Sequence, residues 1–167
     1  MLSCLRGLLR RMQEQQESEL GVPAEHKPDF SGEYVLNSQA SALSGGAAAV
    51  RRAVLRFEHR EPMVRCEGAF TFAETSFNYT VELVADGREI VDGQEPPTTS
   101  SLHWDSDALV FVHRTDSADA PATMSWRYEL DDGGRQLTAR ERIRGGGRDQ
   151  DNVWVFERRD GAGHGSQ

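Results

Sequence analysis

The sequence predicts an all-β chain: an antiparallel up-and-down β-barrel of eight to ten strands with a short helical insert after the first strand. Three observations predict it. Apolar residues recur every second position in run after run. Met124, Trp126, Tyr128 and Leu130, for example, alternate with Ser125, Arg127, Glu129 and Asp131, which places the large groups on one face of a pleated strand. Glycine clusters at Asp132-Gly133-Gly134 and Gly145-Gly146-Gly147 then interrupt each run before three helical turns can form. Finally, the connections are mostly tight turns, and a meander joined that way hides its edges best by closing on itself.

Residues 1–28 form an N-terminal tail in this reading. Leu2, Leu5, Leu9 and Met12 fall at helical spacing beside Arg6, Arg10 and Arg11. That mixture fits a mitochondrial-type presequence or a membrane-surface helix with peripheral contact through residues 1–12, and equally a frayed amphipathic tail. The polar stretch with Pro23 and Pro28 reads as a linker. The barrel domain runs over residues 29–159, and 160–167 form a disordered tail.

The first strand centres on Tyr34. Ser38 to Arg51 is alanine-rich around Gly45-Gly46 and reads as two short helices broken at the glycines, or as a loop. Further strands centre on Leu55, Val64, Val81, Ile90, Leu102, Val110, Trp126, Leu137 and Val155. Glu61-Pro62 breaks the second from the third, since proline cannot sit in mid-ladder. Asp86-Gly87 is the strongest hairpin signal in the chain. Val153 to Phe156 is apolar throughout, as expected of a strand covered on both faces or closing a barrel.

Composition excludes some functions. Apart from Arg6, Arg10 and Arg11, 16 basic residues face 27 acidic ones, a net of about −11. No basic stripe exists for phosphates, so no nucleic-acid partner is expected. Cys4 and Cys66 make no disulfide framework, which fits a reducing compartment, and no run is long enough for a membrane-spanning helix. The expected location is cytoplasmic, or mitochondrial or another organelle if residues 1–20 are a presequence.

Several phrases, in order, carry a resemblance: DFSGEYVLN at 29–37, FEHREP at 57–62, ADGRE at 85–89, HWDSDALV at 103–110 and VWVFERR at 153–159. They are similar to the calycin superfamily, in particular small bacterial lipocalin-like domains and intracellular fatty-acid-binding proteins. The resemblance implies a barrel with an internal cavity, and a helical lid where Ser38 to Arg51 lies. Fatty-acid-binding proteins hold the lipid carboxylate with an Arg and a Tyr on the last strand. Here those positions are Trp154 and Phe156, so that anchor does not carry over. Arg127 resembles a second carboxylate-holding Arg of that family, but by alternation it points outward.

The function expected is non-enzymatic binding of a small, largely apolar ligand inside the barrel. The expected ligand-binding residues are Phe57, Phe77, Tyr79, Trp104, Phe111, Trp126 and Tyr128, with Arg140 and Arg142 lining a wet part of the cavity. Those arginines alternatively form a solvated face paired with Glu129 and Asp131. No cofactor and no metal are expected. The alternatives are a barrel enzyme (an isomerase, a cyclase or a haem-dependent activity) using His59, His113 or Arg140, or a module whose barrel is filled by side chains. His59 and His113 share the phase of apolar neighbours and can face inward, whereas His103 faces outward.

Overall fold

A computed structural model describes residues 26–93 and 95–159. The amphipathic pattern of residues 1–12, Cys4 and the tail beyond 159 lie outside the described residues. Ten strands follow one another: β1 (Gly32–Leu36), β2 (Arg52–Arg60), β3 (Met63–Thr71), β4 (Ser76–Val84), β5 (Ile90–Asp92), β6 (Thr98–Asp105), β7 (Ala108–Thr115), β8 (Ala122–Leu130), β9 (Gln136–Gly145) and β10 (Gln150–Arg158). Every expected strand centre falls inside one of them. All pair antiparallel in a single curled sheet of order β4-β3-β2-β1-β10-β9-β8-β7-β6-β5. The first strand meets the last, with Tyr34 opposite Arg158 and Leu36 opposite Phe156. Among the described residues no helix is long and apolar enough to cross a membrane.

Two expectations are corrected. The helical insert is a single 3-10 turn, Gly45–Ala49. The rest of that segment lies along β10, with Ala42 and Val153 exchanging backbone hydrogen bonds of 2.8 and 2.9 Å. Glycine at 45 and 46 leaves too few residues on either side for a helix to nucleate. The second correction concerns Asp86-Gly87, which turns the chain without forming a hairpin. β5 pairs only with β6, and β4 only with β3. The turn is held elsewhere: Gly87 N–H donates to the Leu102 carbonyl at 2.8 Å, and Asp86 Oδ1 accepts from Arg88 N at 2.9 Å. Stitched to β6, it cannot continue the β4 ladder. The barrel therefore has a seam there, across which β4 approaches β6.

The interior has two unlike ends. At one end Phe30, just ahead of β1, plugs the barrel and is fully buried. Its ring lies 6.0 Å from Phe57 and 6.0 Å from Trp104, while Tyr34 Oη donates to the Phe30 carbonyl at 2.9 Å. Leu55, Leu137 and Phe156 complete this solid end, all fully buried. Aromatic pairs of this kind contribute about 0.5–1.5 kcal/mol beyond the area they bury. The other end, under the 3-10 turn and the β3–β4 and β9–β10 turns, is open.

Candidate functional site

The open end holds a cavity of about 670 Å³, within the range of small-molecule sites. A void this large is not a packing defect, because core voids rarely exceed one water. Period-two alternation builds its wall. Phe57 comes from β2, Cys66 and Phe70 from β3, Tyr79 from β4, Phe111 from β7, Trp126 and Tyr128 from β8, and Trp154 from β10. Trp126 and Trp154 lie 5.7 Å apart, Trp154 and Phe70 5.6 Å in edge-to-face contact. Gly46 and Ala47 of the 3-10 turn, Phe72 of the β3–β4 turn, Phe77 at the start of β4, Arg148 of the β9–β10 turn and Gln150 at the start of β10 frame the mouth. Phe77 is 58% exposed there.

Behind the wall, β3 carries a glycine, Gly68, for a clear reason. A Cβ at Gly68 would sit 2.3 Å from Tyr79 Cε1. The glycine lets the Tyr79 ring lie over the β3 backbone and stack on Phe70, 6.0 Å away. The Tyr79 hydroxyl interacts with the Cys66 thiol and the Tyr128 hydroxyl. Burial holds the Tyr79 and Tyr128 phenols above their ordinary range and pushes the Cys66 thiol up to about 12. All three are therefore protonated near neutrality, and Cys66 is a poor nucleophile.

The buried charged group of the wall is Glu141, on the inward face of β9 with Leu137 and Ala139. Its residue is 9% exposed. Oε2 accepts hydrogen bonds from Asn152 Nδ2 at 2.7 Å and from Trp154 Nε1 at 3.1 Å. Asn152 in turn accepts from Ser44 N at 2.7 Å and Ser44 Oγ at 3.1 Å, just before the 3-10 turn. A connected chain thus runs from the cavity wall to the segment over its mouth.

Of the nine residues expected to bind ligand, Phe57, Phe77, Tyr79, Phe111, Trp126 and Tyr128 line the cavity. Three do not, and are corrected. Trp104 belongs to the solid end, against Phe30 and His59. Arg140 and Arg142 point outward, with side chains 58% and 67% exposed, toward Glu129 at 3.4 Å and Asp151 at 3.5 Å respectively. Their phase is opposite to that of Leu137, Ala139 and Glu141. Arg127 is also outside, paired with Glu129 at 3.1 Å and with Asp105. Asp131 caps its own turn, accepting from Arg135 N at 2.7 Å and Gln136 N at 2.9 Å. Glu141 is not among the expected ligand-binding residues, being flanked by Arg140 and Arg142 in the sequence. The signal that finds it is alternation with Ala139 and Ile143.

The histidines divide. His113 lines the cavity, its Nδ1 2.9 Å from Ser100 Oγ. His59 is buried at the solid end, where Nδ1 accepts from Phe30 N at 3.3 Å and Nε2 lies 2.8 Å from Glu61 Oε1. Both its nitrogens are engaged, and its role is to lock Phe30 in place. Among the described residues no three His, Cys, Asp or Glu side chains converge as a metal-ligand set.

No family model matches the chain, and no curated protein is similar to it in sequence. Solved structures are similar to it in fold. The fluorescent protein UnaG superposes with a TM-score of 0.57 at 16% identity, covering 78% of this chain and 97% of its own. A secretory abundant heat soluble protein from Ramazzottius varieornatus gives 0.54 at 8% identity, covering 77% and 94%. The fatty-acid-binding protein from Manduca sexta gives 0.50 at 14% identity, covering 77% and 99%. At such identities the likeness speaks for architecture alone: the chain shares with these proteins a curled, antiparallel ten-stranded β-barrel.

Proposed function

We propose that this protein binds a small, largely apolar molecule inside its barrel and performs no chemistry on it. The observation that carries the reading is the cavity of about 670 Å³ walled by aromatic side chains. A barrel serving only as a filled module would use that volume for packing, as the solid end does. The enzyme alternative has less support, since the histidine beside carboxylates, His59, is engaged in fixing Phe30. The Manduca sexta neighbour is named for fatty-acid binding, which supports carriage of an apolar molecule by this fold.

Two of the three tryptophans, Trp126 and Trp154, face the cavity. In a Trp104→Phe variant the emission comes from those two alone. An uncharged dye such as Nile red is expected to change that emission saturably. Native mass spectrometry of protein purified from its own host is expected to show a retained small-molecule mass. Unchanged emission together with a bare protein mass would overturn the reading. A Soret band in the same preparation would redirect it to haem, with His113 as the available ligand.

A further inference from the structure

The cavity wall carries one carboxylate, Glu141, while the one guanidinium, Arg148, sits in an exposed turn at the mouth. Only half of the carboxylate is used by the protein. Oε2 takes both hydrogen bonds, from Asn152 and Trp154, and Oε1 takes none from the described residues. That oxygen borders the cavity and is not sealed off among apolar atoms. A buried carboxylate oxygen without a donor is costly, and charge-assisted bonds are the strong ones. Of the other polar groups of the wall, Tyr79, Cys66 and Tyr128 interact with one another, and His113 holds Ser100 Oγ through Nδ1; none of them carries a negative charge. The interior thus offers an unfilled acceptor, at a depth where water screens poorly.

We propose that Glu141 Oε1 selects ligands bearing a hydrogen-bond-donating head, a protonated amine first and a neutral O–H or N–H second. Ligands with a carboxylate head are rejected. The assignment rests on the carrier reading above and narrows it to a ligand class. An anionic head has no cation within the cavity to meet, and would place like charge beside Glu141. At the mouth Arg148 stands in water, where screening makes a single ion pair weak.

The test compares decylamine, decanol and decanoate as displacers of Nile red from the full chain, each below its micelle concentration. Decylamine is expected to bind roughly 10-fold or more tighter than decanoate, with decanol between. Since the whole chain is acidic, its general field also favours the amine. The Glu141→Gln variant separates the two causes. Glutamine keeps an acceptor for Asn152 and Trp154 and turns N–H toward the cavity. The preference should shrink to about 3-fold or less, and a thermal melt checks that the variant is folded. A wild-type measurement stands beside it: the Glu141 carboxyl carbon resonance should move with decylamine and stay still with decanoate.

Equal affinity for decylamine and decanoate, or a preference unchanged in Glu141→Gln, would overturn the inference and leave the carrier reading in place. A Glu141 resonance that ignores decylamine would do the same. If Nile red fails to bind at all, both readings fall together.

Discussion

Single residues do unequal work here, and their environments say which. Gly68 earns its place by an absence. With a Cβ 2.3 Å from the Tyr79 ring, Gly68→Ala must push that ring off Phe70. We expect a loss of about 1–3 kcal/mol in urea unfolding, the usual range for overpacking. Asn152 matters through its hydrogen bonds. It is nearly inaccessible and joins Glu141 on one side to Ser44 on the other. Polar residues are seldom buried so fully unless every group is satisfied. No local signal marks Gly68 or Asn152 in the sequence, because the partners that explain them lie on other strands. Glu141 differs. Its inward phase was legible from Leu137 and Ala139, and only the arginines on either side disguised it.

The elements show where local rules suffice. Alternation and turn chemistry account for β2, β3, β4 and β6 to β10 because each hairpin is built from neighbours in the chain. They do not account for the 37–50 segment, whose order comes from β10. Ala42 pairs with Val153, Gln150 Nε2 donates to the Ser44 carbonyl at 2.7 Å, and Asn152 receives Ser44. Asn152→Ala should therefore loosen this segment before it loosens the sheet. Hydrogen exchange is the measurement: amides of residues 42–50 are expected to exchange faster, while those of β8 and β9 hold their protection. Uniform acceleration would show Asn152 to be an ordinary core residue. The same tertiary competition explains Asp86-Gly87. Its residue types promise a hairpin, but the Leu102 carbonyl captures Gly87 N–H.

For the whole molecule, stability and binding belong to opposite ends. Leu137 is fully buried and does not line the cavity, so Leu137→Ala should cost about 2–5 kcal/mol. Phe77 at the mouth is more than half exposed, so Phe77→Ala should leave the melting temperature nearly unchanged and alter Nile red affinity instead. The pH profile should have two limbs. Asp29 is held below its ordinary value, first by the Ser31 hydroxyl, and Glu33 first by Arg56. Protons bind the unfolded chain first at such sites, so their contribution is intact above about pH 4.5 and fades as pH falls through the native values. Cys66, Tyr79 and Tyr128 are held above theirs by burial. Their contribution is intact below the unfolded values, about 8.5 for a thiol and 10 for a phenol, and is lost as pH rises through the native ones. Thermal melts should therefore show a plateau between roughly pH 5 and 8. In Cys66→Ala the alkaline decline should begin closer to pH 10 than to 8.5.

By itself the sequence determined the strand centres, their inward faces and the antiparallel meander. A two-residue period and glycine turns act between near neighbours, so they survive being read one stretch at a time. Only the tertiary structure decided that Trp104 plugs rather than lines, that the seam falls beside Asp86-Gly87, and that one half of the barrel stays hollow. Those outcomes depend on how summed side-chain volumes compare with the space inside a ten-stranded wall, and on which distant backbone group wins a given N–H. Neither quantity is written in any single run of residues.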